Sequence, residues 1–446
     1  MKNIIIWVGL ILLSLVFYLY SNQMEMLIFL LCFIGLGGII VKLFIRPNNP
    51  SVFTIYGIFI VIYGFLTILS HIELIHSPDD DYFIHTDAAW SFYHHTIEYV
   101  VPLKWSELIE GTVLNPGFIE YALAELLFGT VAKIAKDVGV INIRLALRIL
   151  VFVMGALMNS MMIDVLLKNG ISKSKCFKNV LIFGCFSYLF ITSAIFSRDI
   201  FVCFTYVAIA YIILLPKCSF RFIKLVIFAL CAFGGRPEHG AFAIVYILAY
   251  YMSLNRSKFI KVIALSSIFI VIFVILIYSS FISHAIVTID SFEEETLSNT
   301  GGVFMKVYSL PFPINKICMV IYMLLLPLPP SKFLIGDGNT FLTLPFLLSP
   351  YLMTLIVIGC VWYIFKFLSK DKYVAYFMCT SLLGFCLIVS VSPDLRRAFA
   401  TIPGLFLAYS LVSNKIPDRV QKNVKYLVWP IVLILSIYFQ LYVSLR

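Results

Sequence analysis

The chain predicts an all-α polytopic membrane protein, and three observations carry that class. Hydrophobic residues make up 61% of its 446 positions and charged ones only 13%. Its mean hydropathy is +1.00. Apolar runs long enough to cross a hydrocarbon core follow one another from the first residues to the last, and in lipid such runs satisfy their backbone groups as helices. The run lengths predict about 13 transmembrane helices with one or two interfacial or re-entrant helices. Residues 1–446 then form a single integral-membrane domain, with an outer-face loop at 71–115 that carries interfacial helices and a second outer-face loop at 282–316.

The elements follow in order from apolar length and basic loops. Runs 3–20, 27–44 and 52–70 read as three spanning helices. No small-residue cleavage site follows the first, so it reads as a helix and not a leader. Lys42 and Arg46 place the second link in the cytoplasm by the positive-inside rule, and residue 71 emerges outside. Helix 141–167 carries Arg144 and Arg148 one turn apart on one face. The four lysines of Lys168–Lys178 mark the inside again. Helices 180–196 and 200–215 meet outside at Ser197-Arg198-Asp199. Helices 225–235 and 241–254 meet at Gly234-Gly235-Arg236-Pro237-Glu238-His239-Gly240. Further spans are read at 262–281, 348–368, 374–391, 398–413 and 426–444. A spanning 118–135 would throw the four-lysine loop outside, so that helix reads as interfacial or re-entrant. So does 317–335, which Pro327, Pro329 and Pro330 interrupt.

On this topology lysine dominates the inside, whereas all seven histidines and most carboxylates lie outside with a larger share of arginine. Lysine suffices to orient helices; arginine adds a planar fork that binds phosphate or carboxylate in bidentate fashion. The outer face therefore reads as the working face. Candidate anion-binding residues are Arg144, Arg148, Arg198, Arg236, Arg396 and Arg397, from separate segments at one membrane boundary. Each could instead be half of an arginine–acid staple, as in Arg236 with Glu238 or Arg198 with Asp199. Candidate proton-handling groups are Asp81, Asp87, Glu238 and His239. The acidic run Asp79, Asp80, Asp81 could hold a hard divalent cation such as Mg²⁺, or cap a helix after Pro78; no metal site is otherwise expected. The ten cysteines lack CxxC spacing and mostly lie inside apolar runs, where they read as small hydrophobes. The net charge of +10 is scattered over short loops, which argues against nucleic acid. No P-loop, GxGxxG, GxSxG or HExxH is present.

Two related groups of bacterial surface-polysaccharide enzymes resemble this layout. Asp79-Asp80-Asp81-Tyr82 with Asp87-Ala88-Ala89-Trp90, then Asn115-Pro116-Gly117-Phe118, is similar to the acidic first outer loop and proline-led helix of GT-C membrane glycosyltransferases. Arg144, Arg148 and the Ser197-Arg198-Asp199 turn sit where that group has comparable features. Arg236 and Arg396-Arg397 resemble the outer-face arginines of O-antigen and capsule polymerases. The resemblance covers most of the chain by layout, through short motifs. One departure is that the arginines are spread over turns and not gathered on one long outer loop.

The resemblance implies a GT-C-like architecture in a bacterial inner membrane with its active face outward. It also implies transfer of glycan between polyprenyl-pyrophosphate-linked intermediates, with a polysaccharide chain-length regulator as a candidate partner besides the lipid-linked sugar and the bilayer. The alternatives are a GT-C transferase using a polyprenyl-phosphate sugar and, from another class, a flippase or transporter of lipid-linked sugar. Against the transporter stand the apparent lack of polar groups near the midplane and of an internal repeat.

Overall fold

Runs of Leu, Ile, Val and Phe without proline leave helix as the local solution, and all regular structure among the described residues is helical. The computed structural model describes residues 2–71, 122–196, 198–253, 310–311, 314–325, 352–364 and 399–413, with scattered positions between 377 and 434. The chain divides into two compact units, Met1–Pro237 with Lys332–Ser349, and Glu238–Ser331 with Pro350–Arg446.

In the first unit, α1 (Lys2–Ser21), α2 (Met24–Ile40), α3 (Ser51–His71), α4 (Ala122–Asp137) and α5 (Ile143–Lys168) come first. They are followed by α6 (Lys173–Phe186), α7 (Leu189–Thr192), α8 (Arg198–Leu214) and α9 (Arg221–Gly235). Four segments are long and apolar enough to cross a membrane: Ile4–Ser21, Met24–Ile45, Ser51–His71 and Ile143–Lys168. The chain is a helical membrane protein. Helix α2 runs on through a π-turn, Val41–Ile45, closed where the Arg46 N–H donates to the Val41 carbonyl at 3.1 Å.

Helix α5 is the central post. Its apolar window is 94% buried, and α2, α3, α4, α6 and α8 all pack on it. Small residues set the approach of its neighbours, as expected where lipid supplies no hydrophobic drive between helices. Along α3, Gly57 meets Ile6, Val61 meets Gly9 and Gly64 meets Leu13. The numbers rise together, so α1 and α3 run parallel with α2 antiparallel between them in the chain. At Gly155 on α5, an added Cβ would lie 2.6 Å from Ser193 Cβ and 3.0 Å from Tyr63 Cδ2. Gly155→Ala is therefore expected to cost about 1–3 kcal/mol by overpacking, read as a lower midpoint in a thermal melt of the detergent-solubilised chain. An unchanged midpoint would show that α5 shifts freely.

The bundle has two distinct ends. At one, Lys168 Nζ donates to the Ile45 carbonyl at 3.0 Å, and the Asn169 amide donates to the Leu214 carbonyl at 3.0 Å. Arg46, Lys168 and the link Leu215–Phe220 meet there, and this is the lysine end. At the other, Gln23 Oε1 accepts from the Ile141 N–H at 3.1 Å and His71 packs its ring edge-on against Tyr20, with centroids 5.5 Å apart. Helix α4 stays at that second end. Leu123 near its start lies against Gly234 at the end of α9, and Gly139 just past its last residue faces Glu25 at the start of α2. About 24 Å of helix thus lies across the bundle's end without traversing it, as an interfacial helix does.

Two boundaries differ from expectation. The segment read as one helix, 180–196, is two: α6 starts seven residues earlier, at Lys173, and stops at Phe186. Ser187 is extended and the short α7 follows. The break has a local cause, because the Ser187 hydroxyl accepts from the Leu189 N–H at 3.2 Å and starts a new turn in place of the old ladder. The second difference is at the Gly-Gly-Arg-Pro turn. A residue before proline is driven to extended backbone, and Arg236 obeys, with φ −161° and ψ 123°. The next helix, α10 (Pro237–Ser253), begins on the proline itself, a favoured first position. The helix expected from 241 thus starts four residues earlier, and Glu238 and His239 lie in its first turn.

The second unit contains α10 from Glu238 onward, α11 (Ile314–Leu325), α12 (Leu352–Ile364) and α13 (Ile402–Ser413). Its packing repeats the small-residue pattern: Gly359 meets Tyr409, Gly384 meets Tyr246 and Gly404 meets Phe377. Most of 71–115 and 282–316 lies outside the described residues; Ile314 to Lys316 already belong to α11.

Candidate functional site

The polar groups of the first unit gather at the end where α4 lies. Asn142 is placed there by its role as N-cap of α5. Its Oδ1 accepts from the Leu145 N–H at 3.0 Å, which aims its amide nitrogen at His71 Nε2, also at 3.0 Å. With the amide donating, Nε2 is the acceptor and the ring proton sits on Nδ1. One turn into α5, Arg148 is fully buried, and its Nη1 donates to Ser70 Oγ at 3.0 Å. Arg144, one turn earlier, is half-buried. A buried guanidinium is costly unless it is engaged, and here it is aimed at the end of the bundle beside an imidazole.

The second arginine of the cluster is Arg236. Its Nη2 donates to Asp199 Oδ1 at 2.8 Å, with side-chain exposures of only 4% and 9%. The Glu238 side chain lies outside the described residues; the structure gives Arg236 a partner 37 positions away in the chain. Chain geometry explains it. Asp199 sits in the first turn of α8, where a carboxylate meets the positive end of the helix, and Arg236 is the C-cap of α9. The two helices pack side by side, so the ends that carry these residues coincide.

Helix α4 brings a further charge that sequence reading missed. Glu125 is 4% exposed and shares a face with Phe128 and Ala132, both fully buried. Leu123, two residues before, meets Gly234, and Phe128, three residues after, packs edge-on against Phe196 at 4.9 Å. Glu125 thus lies on the buried face of α4, at the end of the bundle where Gly234 and Phe196 also lie. The signal was available: an acid at i, with apolar residues at i+3 and i+7, lies on the buried stripe of an amphipathic helix.

The remaining sequence candidates divide as follows. Arg198 is the first residue of α8. Glu238 and His239 belong to the second unit, where His239 is buried and lies edge-on to Phe242 with centroids 6.5 Å apart. Asp79, Asp80, Asp81, Asp87, Arg396 and Arg397 lie outside the described residues. Among the described residues, no three His, Cys, Asp or Glu side chains come together so as to hold a metal ion.

Polar groups are also found half-way along the bundle, where none was expected. The Tyr63 phenol donates to the Gly184 carbonyl at 2.9 Å and accepts from the Asn159 amide at 2.9 Å. At the lysine end, buried Asp164 pairs with Lys168 at 2.6 Å and accepts from the Tyr211 hydroxyl at 2.7 Å.

No protein-family model, curated protein or solved structure matches this chain.

Proposed function

We propose that the protein is a surface-polysaccharide polymerase of the O-antigen or capsule kind, transferring glycan between polyprenyl-pyrophosphate-linked intermediates at the end of the first unit where α4 lies. The observation that supports this reading is the convergence of Arg148, Arg144 and Arg236 at one end of a membrane-spanning bundle, beside His71 and the carboxylates Glu125 and Asp199. A lipid pyrophosphate has the charge and the boundary position that such a cluster requires. In the reaction an acceptor hydroxyl attacks an anomeric carbon, the bond to the pyrophosphate oxygen breaks, and the departing charge falls to the guanidinium groups. The hydroxyl's proton goes to a carboxylate. Glu125 joins Asp81 and Asp87 as a candidate for that role.

The proposed setting is an inner membrane of about 13 spans with GT-C-like architecture and the arginine cluster outward. A strain lacking the gene should accumulate carriers or lipid cores bearing one repeat unit, and a strain with Arg148→Lys should give the same pattern at wild-type protein abundance, because lysine keeps the charge and loses the fork. Long chains that persist without a side-branch sugar would support instead a GT-C transferase acting on a polyprenyl-phosphate donor. A specific observation favours one further reading. An interrupted helix beside neutral polar groups in the bundle interior is a feature of transporters, and a flippase of lipid-linked sugar would leave repeat units on the inner leaflet.

A further inference from the structure

The lysine end of the first unit gathers cations that the proposed reaction leaves unused. Helix α2 finishes there in its π-turn, and α9 starts there. The Phe44 ring packs edge-on against Phe228, with centroids 6.0 Å apart, and Lys224 Nζ stands 5.7 Å from the centroid of the same ring. Lys224 Nζ also reaches Cys218 Sγ at 3.9 Å, in the link that carries Lys217. Arg46 Nε donates to the Leu43 carbonyl at 2.8 Å, so a guanidinium and an ammonium are anchored on adjacent residues of α2. Lys168 Nζ donates to the carbonyls of Ile45 and Arg46, at 3.0 and 3.4 Å. Among the described residues, the one carboxylate brought to this place is Asp164, which is buried and takes Lys168 at 2.6 Å. The positive excess stands at a membrane boundary, because the spanning segments Met24–Ile45 and Ile143–Lys168 both end here.

Two further features indicate what kind of anion fits. The first is an apolar stripe that leads away from the cations along α9. Phe222, Val226, Leu230 and Phe233 recur at spacings of four, four and three residues, on one helix face, and all are exposed. They span about 16 Å of helix, close to half of a hydrocarbon core about 30 Å thick, which is one leaflet. A soluble anion would leave that stripe uncovered; a phospholipid supplies a phosphate for the cations and a chain for the stripe. The second feature is the backbone. Among the described residues, three that are not glycine have positive φ, and two of them, Arg46 at 49° and Phe220 at 53°, flank this cluster. A bulky residue in that region is strained, and such strain persists where its surroundings fix it. Phe220 is also 76% exposed, a position that suits a ring at the boundary between headgroups and acyl chains.

We infer that an anionic phospholipid binds at this end, its phosphate held by Arg46 and Lys224 and an acyl chain laid along Phe222, Val226, Leu230 and Phe233. With Nε engaged, the Arg46 guanidinium keeps four N–H donors on its Nη atoms, and an ammonium has three donors in all. Lys168 and Lys217 add charge from α5 and the α8–α9 link. Basic sites between helices at a membrane boundary select anionic headgroups in this way. The lipid clamps the end of α2 to the start of α9, which meet here through Phe44, Phe228 and Lys224. The site lies at the opposite end of the bundle from the Arg148 and Arg236 cluster, and it does not depend on the reaction proposed there.

Lipid-dependent melting tests this. For the purified full chain in neutral detergent, added phosphatidylglycerol should raise the melting temperature by about 2–4 °C. Phosphatidylcholine or inorganic phosphate at equal concentration should not. The double variant Arg46→Gln with Lys224→Gln should lose the rise. The control pair Lys133→Gln with Lys136→Gln removes the same charge from α4 at the other end and should keep it. Loss of the rise in both pairs would show attraction to net charge without a site, and an equal rise with inorganic phosphate would show a soluble-anion site; either result overturns the inference. Native mass spectrometry of the wild-type chain covers the case in which the first variant does not fold. From an equal mixture of the two lipids, several-fold preferential retention of phosphatidylglycerol is expected. Equal retention, or a dimer that retains neither lipid, would overturn the inference.

Discussion

Replacing Asp199 with alanine should destabilise the first unit by about 3–5 kcal/mol, the range for breaking a buried ion pair from one side. The variant strips the 2.8 Å carboxylate from a guanidinium that is only 4% exposed. The site cannot relax cheaply, because Asp199 begins α8 and Arg236 ends α9, and both positions are set by helix packing. Recovery of folded protein on size exclusion after a heating step should therefore collapse for Asp199→Ala and for Arg236→Ala. The paired change Asp199→Leu with Arg236→Met should restore most of it, since neither half of the pair is left as a buried charge and the volume stays filled. The same pair separates structure from chemistry. If Arg236 also holds the pyrophosphate, the double variant regains abundance and still makes only single repeat units. If chain length recovers together with abundance, Arg236 is a staple alone, and the proposed anion site loses one of its arginines.

The second large effect is expected at the opposite end. Asp164 receives the Lys168 ammonium at 2.6 Å and the Tyr211 hydroxyl at 2.7 Å. Lys168 also donates to the Ile45 carbonyl at 3.0 Å, and the Tyr211 hydroxyl lies 3.2 Å from the same carbonyl. One carboxylate thus ties the π-turn that ends α2 to α5 and α8. Asp164→Ala should cost about 2–3 kcal/mol, below the full range for a buried pair because Lys168 keeps 21% side-chain exposure. Asp164→Asn should cost about half as much, as it retains an acceptor for Tyr211, and Tyr211→Phe about 1 kcal/mol. The ordering of the three midpoints in a denaturant or thermal series is the check. A wild-type midpoint for Asp164→Ala would mean that the Ile45 carbonyl holds this end unaided.

Much of this protein is determined by its sequence alone, and for a physical reason. Backbone groups in lipid have to bond within their own segment, so an apolar run of sufficient length is a helix whatever surrounds it. That is why 3–20, 52–70 and 141–167 agree closely with Lys2–Ser21, Ser51–His71 and Ile143–Lys168. The positive-inside rule, for its part, made 118–135 interfacial or re-entrant, and Ala122–Asp137 lies at one end of the first unit. Pro237 likewise dictated the end of α9, by forcing Arg236 extended.

Partnerships were decided only by the tertiary structure. By sequence Arg236 reads only as a neighbour of Glu238; the packing of α8 on α9 brings Asp199 to it from 37 positions away. Glu125 reads as one acid on an apolar helix until α4 lies across the bundle's end and turns that face inward. The break at Ser187 is invisible in a hydropathy pattern, because Ser, Tyr and Leu continue the apolar run; it takes the Tyr63 phenol and the Asn159 amide, from two other helices, to make it stable. Local periodicity encodes which face of a helix is apolar. Which atoms then meet is set by the small residues Gly57, Gly64, Gly155 and Gly184, whose missing side chains determine how closely each helix approaches the next.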